Sequence, residues 1–330
     1  MSPQQPTQQP TPLRIGFLGP HATFTEQALH TLPESRDAEL VPLPGAPAVL
    51  AAVRDGSVDA GCVPIENTVE GAVPPVLDGL VADPPLVVTR EARIAVRFCL
   101  LGRPGTGRTG DLGAIRTVAS HGHGIAQTRG WLAEHLPDAE IRVSSSTAEA
   151  AAQVARGEVD AAVAAPLAAS RNGLDVLADD IADNSGAVTR FVLLTRPALP
   201  PEPTGWDRTM LAATTTNRPG TLLGLLTELT MRGIDLTRIE SRPVKDRHAE
   251  YWFHLDCSGH VAEPAMGEAL AALHRRCDRL IYLGSFPRSD ARPEQPGGTG
   301  SPVAPPAAAT ADDYAASQRW LSTVREGTGR

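Results

Sequence analysis

The stretch Val53-Arg54-Asp55-Gly56-Ser57-Val58-Asp59-Ala60 decides the fold of this chain. It returns about a hundred residues later as Val154-Ala155-Arg156-Gly157-Glu158-Val159-Asp160-Ala161. Each copy reads as a helix end, a glycine turn and a short strand running toward a proline, Pro64 or Pro166. The glycine suits the left-handed position just past a helix. A second pair lies at a similar offset. Ile15-Gly16-Phe17-Leu18-Gly19-Pro20 precedes a helix expected around residues 26–32. Thr117-Val118-Ala119-Ser120-His121-Gly122 precedes one expected around residues 125–136. Strand, loop and helix recur in the same order, which predicts two similar α/β lobes facing each other across a cleft.

Three polar clusters sit at the ends of apolar runs. Val188-Thr189-Arg190-Phe191-Val192 puts a hydroxyl and a guanidinium into a run, Val188 to Leu194, that otherwise reads as a buried strand. Burying either group costs free energy unless it finds a partner. Val63-Pro64-Ile65-Glu66-Asn67-Thr68-Val69-Glu70-Gly71 sets Glu and Asn directly after an apolar stretch. Gly19-Pro20-His21-Ala22-Thr23-Phe24-Thr25-Glu26 reads as a tight loop opening a helix. Ligands of open α/β sheets sit beyond the carboxyl ends of the strands, so the three clusters suggest one cleft.

The 330 residues suit two or three domains. Hydrophobic content of 42% supports real cores, and 4% aromatics makes those cores Ala, Val and Leu. A net charge of −8 argues against a nucleic-acid binder. The four cysteines, Cys62, Cys99, Cys257 and Cys277, lack the spacing of a disulfide framework or a zinc site. No apolar run is long enough to span a membrane. Residues 1–12 are rich in Pro, Gln and Thr and do not read as a signal peptide. The expectation is a reduced, cytoplasmic protein with a disordered N-terminal tail.

The pattern changes after a stiff proline-rich linker, residues 197–206. Strands are expected over 208–216, 234–244, 250–257 and 279–286, with a polar turn over 245–248. Helices are expected over 219–231, with Leu222, Leu223, Leu226 and Leu229 on one side, and over 263–276. This is the β-α-β-β-α-β order of ferredoxin-like domains, here residues 207–286. Residues 287–330 read as a mostly disordered tail with a short helix over 312–325.

Thr23 and Glu26 have capping-box spacing, as do Ser146 and Glu149, and Ser120 stands at the matching helix entrance of the second lobe. Two helix N-termini would suit a small ligand with two carboxylates, although Thr23 as a plain cap needs no ligand. Glu66 reads as a general acid if burial raises its pKa, or as a salt-bridged structural residue. Asn67 offers a donor and an acceptor, and Arg190 suits bidentate carboxylate recognition. His121 and His123 lack further ligands and are not read as a metal site.

Together the clusters resemble the prephenate dehydratase family, over about residues 13–286. The strongest matches are Gly19 to Gln27, Val63 to Leu80, Ser144 to Ala152, Thr189-Arg190-Phe191 and Glu240-Ser241-Arg242-Pro243. The resemblance implies a bilobed catalytic domain like type II periplasmic binding proteins, residues 13–196 with the second lobe about 94–170. A ferredoxin-like ACT regulatory domain that binds L-phenylalanine would follow. It implies decarboxylation of prephenate with loss of the ring hydroxyl, giving phenylpyruvate, CO2 and water without a cofactor or metal. Thr189 is implied as the catalytic residue, with Glu66 as the source of its proton. Thr23, Asn67, Thr68, Ser120, Gln127, Arg190 and Phe191 are implied in substrate binding. Asn217, Pro219, Gly220, Thr221 and Leu222, with Glu240, Ser241 and Arg242, are implied as the effector site. ACT domains commonly pair edge to edge, so a homodimer or homotetramer is expected, with no nucleic-acid or membrane partner.

The chain departs from the family pattern at Ala22, usually Gly, at Val76, usually Thr, and at Gly122-His123, usually Pro-Gln. Gly186-Ala187-Val188 stands where Asn is common. Arogenate dehydratase, a non-aromatising prephenate decarboxylase and a catalytically dead amino-acid sensor are the competing readings. The short N-terminal tail is expected to carry no fused chorismate mutase region.

Overall fold

The computed structural model describes residues 12–106, 112–184, 186–244, 250–290 and 309–326. The expected N-terminal tail, the turn over 245–248 and most of the 287–306 tail lie outside the described residues.

The chain begins with β1 (Arg14–Leu18), α1 (Phe24–Leu29), a short 3-10 turn (Pro33–Ser35), β2 (Glu39–Leu43), α2 (Ala46–Asp55) and β3 (Ala60–Asn67). Then come β4 (Gly71–Ala72), α3 (Pro74–Leu80), β5 (Val87–Ala95) and β6 (Cys99–Gly102). The second half of the repeat supplies β7 (Thr117–Ser120), α4 (Gly122–Gln127), α5 (Arg129–His135), β8 (Glu140–Val143), α6 (Thr147–Ala155) and β9 (Ala161–Ala164). It closes with α7 (Pro166–Asn172), β10 (Asp175–Ala178) and β11 (Val188–Thr195). The first sheet runs β2-β1-β3-β11-β5 with β4 on β3, and the second runs β10-β6-β9-β7-β8.

The internal repeat is architectural. Gly56 and Gly157 follow α2 and α6 with φ of +81° and +78°, the left-handed position expected of both. Beyond them, β3 and β9 pair in parallel with β1 and β7 in matching registers, Ile15 opposite Ala60 and Val118 opposite Ala161. The repeated aspartates do the same work. Asp59 accepts the Arg14 N–H at the start of β1, and Asp160 accepts the Thr117 N–H at the start of β7. Alternate residues of β6 and β9 feed two different cores. Leu101, Ala162 and Ala164 pack with Ala150, Ala151 and Val154 of α6. Leu100 and Val163 pack on the other face with Phe98, Leu132 and Ile181. Helices cover both faces of this sheet, and the small side chains match the low aromatic content.

The chain separates into two compact units. One holds residues 1–71 with 92–191, and so contains both halves of the repeat. The other holds residues 72–91 with 192–330. In the second unit β12 (Asp207–Thr214), α8 (Thr221–Thr230), β13 (Leu236–Pro243), β14 (Tyr251–Ser258), α9 (Pro264–Arg276) and β15 (Arg279–Pro287) have the expected β-α-β-β-α-β order. They form an antiparallel sheet, β13-β14-β12-β15, and α10 (Ala311–Arg325) follows.

Leu211, Ala213, Leu255 and Cys257 turn one sheet face onto Leu225 and Leu229 of α8 and Met266, Ala269 and Leu273 of α9. Here the expectation for α8 is corrected. Leu223 is 69% exposed and Leu225 is buried. The inward residues are Leu225, Leu226 and Leu229, the i, i+1, i+4 positions of one helix face. β12 is buried at every position, so its second face is covered as well. On that face Arg208 meets Glu91 at 2.5 Å, both buried. Any Cβ on Gly284, at φ +124°, would strike the Val88 carbonyl. Arg242 of β13 reaches Asp78 of α3 through Nε at 3.2 Å.

Two expectations in the second lobe are corrected. The helix foreseen over 125–136 is two short helices divided at Thr128, whose φ of −127° departs from helical geometry while its hydroxyl bonds the Gly124 carbonyl. The N-cap of α4 is His121, not Ser120.

Candidate active site

β11 follows from its sequence: β-branched and aromatic residues favour a pleated surface, and Phe191 through Leu194 are buried. Its first residues lie beside the end of β3. Thr68 N–H donates to the Val188 carbonyl, and the Val188 N–H donates back to the Thr68 hydroxyl at 3.0 Å. This pair of hydrogen bonds sets Asn67 opposite Thr189. The Asn67 amide Nδ2 donates to Thr189 Oγ1 at 2.8 Å. Its carbonyl Oδ1 accepts the N–H groups of Val69 and Glu70 at 2.8 and 3.0 Å. Both ends of the amide are therefore fixed, and so is its orientation.

Arg190 is 5% exposed. Its guanidinium lies 3.7 Å from the Glu66 carboxylate, whose side chain is 38% exposed. Glu66 is thus a half-exposed ion-pair neighbour and not a carboxyl enclosed in an apolar pocket. Phe191, the next residue, is buried and lies within the strand.

The loop before α1 is held by a buried carboxylate. Thr23 caps α1, accepting the Glu26 N–H at 3.4 Å. The expected capping box is only half made: the Glu26 carboxylate bonds Ala22 N–H at 2.5 Å. It also meets His21 at 3.1 Å and Arg171, from α7 of the second lobe, at 2.7 Å. Burial pulls the Glu26 carboxyl upward. The Ala22 N–H, His21 and Arg171 outweigh that and hold it below the usual carboxylate range. Ala22 itself has φ +66°, which explains why glycine is usual there.

On the second lobe Ser120 is fully buried, and its hydroxyl donates to the Val163 carbonyl at 2.7 Å. Gln127 Nε2 donates to Glu70 at 2.9 Å, and His123 meets the same carboxylate oxygen at 2.6 Å. The structure therefore brings Thr189, Asn67, Thr68, Arg190 and Glu66 together. It joins Gln127 to that loop through Glu70. It leaves Ser120 beneath Gly124, where a Cβ would sit 2.5 Å from the hydroxyl.

In the second unit Pro219, Gly220 and Thr221 line a cavity of 360 Å³ with Thr215, Leu225, Arg276 and Cys277. Asn217 lies in the loop before α8, and Leu222 is the second residue of that helix; neither lines the cavity. Glu240, Ser241 and Arg242 lie on β13, two strands from β12, and do not line that cavity. Sequence reasoning missed Arg171, Asp78 and the Glu91–Arg208 pair. No local pattern marks a residue whose partner lies so far along the chain. Glu70 stood inside a quoted motif and went unassigned.

The family model described as prephenate dehydratase matches residues 15–198. A prephenate dehydratase from Amycolatopsis methanolica is 48% identical over 95% of this chain and 98% of its own. A solved prephenate dehydratase from Arthrobacter aurescens, in complex with L-Phe, superposes with a TM-score of 0.83 at 38% identity, covering 95% of this chain and all of that one. A structure described as a novel type of quorum-quenching acylase is 30% identical with a TM-score of 0.74, over 84% of this chain and 98% of that one. With a matching model over more than half its length and a relative at 48% identity along nearly all of it, the chain belongs to the prephenate dehydratase family.

Proposed function

We propose that this protein converts prephenate to phenylpyruvate, CO2 and water. The ring carboxylate leaves as CO2, its electron pair closes the aromatic ring, and the C–O bond to the ring hydroxyl breaks. Aromatisation supplies the driving force, so the residues act on the leaving oxygen and on the position of the dianion. One observation carries the reading: Asn67 donates to Thr189 Oγ1. With a lone pair so engaged, the hydroxyl proton is free to point at the departing oxygen. Solvent resupplies the proton, and Glu66, half-exposed beside Arg190 on the adjoining strand, relays it as a carboxylate. Arg190 holds a substrate carboxylate, Thr23, Thr68 and Gln127 shape the site around it, and the buried Ser120 and Phe191 support it from within the fold.

The same observation disfavours an acylase reading. A nucleophilic threonine needs a base to take its proton, and here the close neighbour Asn67 is a donor. Incubating purified protein with prephenate and, separately, with arogenate, and identifying products by mass, tests the assignment. Phenylpyruvate from prephenate supports it; an unchanged substrate or a retained ring hydroxyl refutes it.

We place the catalytic domain at residues 13–196, a linker at 197–206 and the regulatory domain at 207–286. L-phenylalanine is the proposed effector, and the L-Phe complex of the Arthrobacter relative supports it. The cavity lined by Pro219, Gly220 and Thr221 does not include Glu240, Ser241 or Arg242. We therefore place the effector where two copies pair, in a homodimer or homotetramer. Four free thiols suit a reducing, cytoplasmic setting.

A further inference from the structure

The loop that carries Asn67 is tied to the second lobe through one side chain. Asn67 Oδ1 accepts the Glu70 N–H at 3.0 Å. The Glu70 carboxylate Oε1 then accepts Gln127 Nε2 at 2.9 Å and lies 2.6 Å from His123 Nδ1. His123 and Gln127 stand four residues apart on α4, so they present side chains on one helix face. The His123 ring lies parallel to that of His121, with centroids 5.1 Å apart. Straight after Glu70 the chain turns away through Gly71, at φ +82° with open space around it. That glycine serves backbone conformation and not packing, and it sets the carboxylate toward α4.

This linkage contributes little to stability. The Glu70 and His123 side chains are 39% and 63% exposed, and water screens a pair so exposed. Orientation is a different matter, because a misplacement of about 1 Å near a reacting atom costs about 100-fold in rate. We infer that Glu70 is a positioning residue. By binding Gln127 and His123 of one lobe while its N–H holds Asn67 of the other, it fixes the Asn67 amide that aims the Thr189 hydroxyl. His123 is a second donor of the same latch. This inference rests on the dehydratase reading.

The test uses full-length protein and measures phenylpyruvate formation from prephenate alongside thermal unfolding. Glu70→Ala lowers kcat about 10- to 100-fold, leaves KM within about threefold and leaves Tm nearly unchanged. Glu70→Gln keeps an amide oxygen that accepts both donors and recovers most of the turnover. His123→Leu, at a more exposed position, lowers kcat less than Glu70→Ala and serves if that variant fails to fold. Wild-type kcat in folded Glu70→Ala, or Glu70→Gln no better than Glu70→Ala, overturns the latch alone. Wild-type protein that forms no phenylpyruvate overturns the dehydratase reading and the latch with it.

Discussion

The Asn67 amide nitrogen lies 2.8 Å from the Thr189 hydroxyl oxygen, and the amide is the donor. The direction follows from the other end of the same side chain. Asn67 Oδ1 already accepts two backbone N–H groups, from Val69 and Glu70, so Nδ2 must face Thr189. A threonine that accepts from Asn67 keeps its own proton for a third group. In the proposed chemistry that group is the oxygen leaving the ring.

Reversing the polarity of this contact should be worse than deleting it. Asn67→Asp turns the donor into an acceptor that draws the Thr189 proton away from substrate. We expect kcat for Asn67→Asp to fall below that of Asn67→Ala, with both reduced by about 10-fold or more. Steady-state kinetics of the two folded variants checks the order. The opposite order would show that Thr189 does not act as a donor.

Arg190→Lys keeps the charge and loses the planar fork. Arg190 is buried beside Glu66, so the ammonium of lysine has less reach to satisfy both Glu66 and a substrate carboxylate. kcat/KM should fall about 10-fold or more, mainly through KM, in an initial-rate assay. An unchanged kcat/KM would give Arg190 a purely structural role.

The second face of the β13-β14-β12-β15 sheet suggests a route for the proposed effector signal. Arg242 lies in the Glu240–Pro243 segment and grips Asp78 with two nitrogens, at 3.2 and 3.4 Å. Asp78 lies on α3, which follows directly after the Asn67–Gly71 loop and β4. Asp78→Asn should leave phenylalanine binding by calorimetry intact while weakening the change in activity that phenylalanine causes. Coupling energies are about 1–3 kcal/mol, so a loss of about 5-fold or more in the response is expected. An unaltered response would show that the Arg242–Asp78 contact does not carry the signal.

His254 makes stability depend on acid. It is 1% exposed, and neither ring nitrogen has a hydrogen-bond partner among the described residues. Burial, with Arg238 nearby, pushes its pKa down to about 4 from 6.5. The unfolded chain binds the proton more readily. The contribution is therefore full above about pH 6.5 and is lost as pH falls toward about 4. His254→Leu should flatten Tm between pH 7 and pH 5, measured by thermal melts. An unchanged slope would show that another group titrates in that window.

The repeat made the bilobed fold legible, because Gly56 and Gly157, and Asp59 and Asp160, do the same jobs in each lobe. The β-α-β-β-α-β order of the second unit was legible because its strands and helices have distinct periods. The face of α8 was misjudged by taking Leu223 for Leu225, since a leucine-rich helix offers two overlapping stripes. The Thr189–Asn67 pairing was legible only as two polar clusters. The residues stand 122 positions apart, and the strand register alone brings them together. Arg171, Asp78 and Glu91 act through partners on distant elements, and no local spacing carries that information.

Thr189→Val tests the central claim most directly. It keeps the shape of the side chain and removes the hydroxyl. The measurement is single-turnover formation of phenylpyruvate from prephenate by folded wild-type and variant protein. Loss of one transition-state donor predicts a rate lower by about 100- to 1000-fold with substrate binding largely retained. A folded Thr189→Val variant that turns over at the wild-type rate would contradict the account.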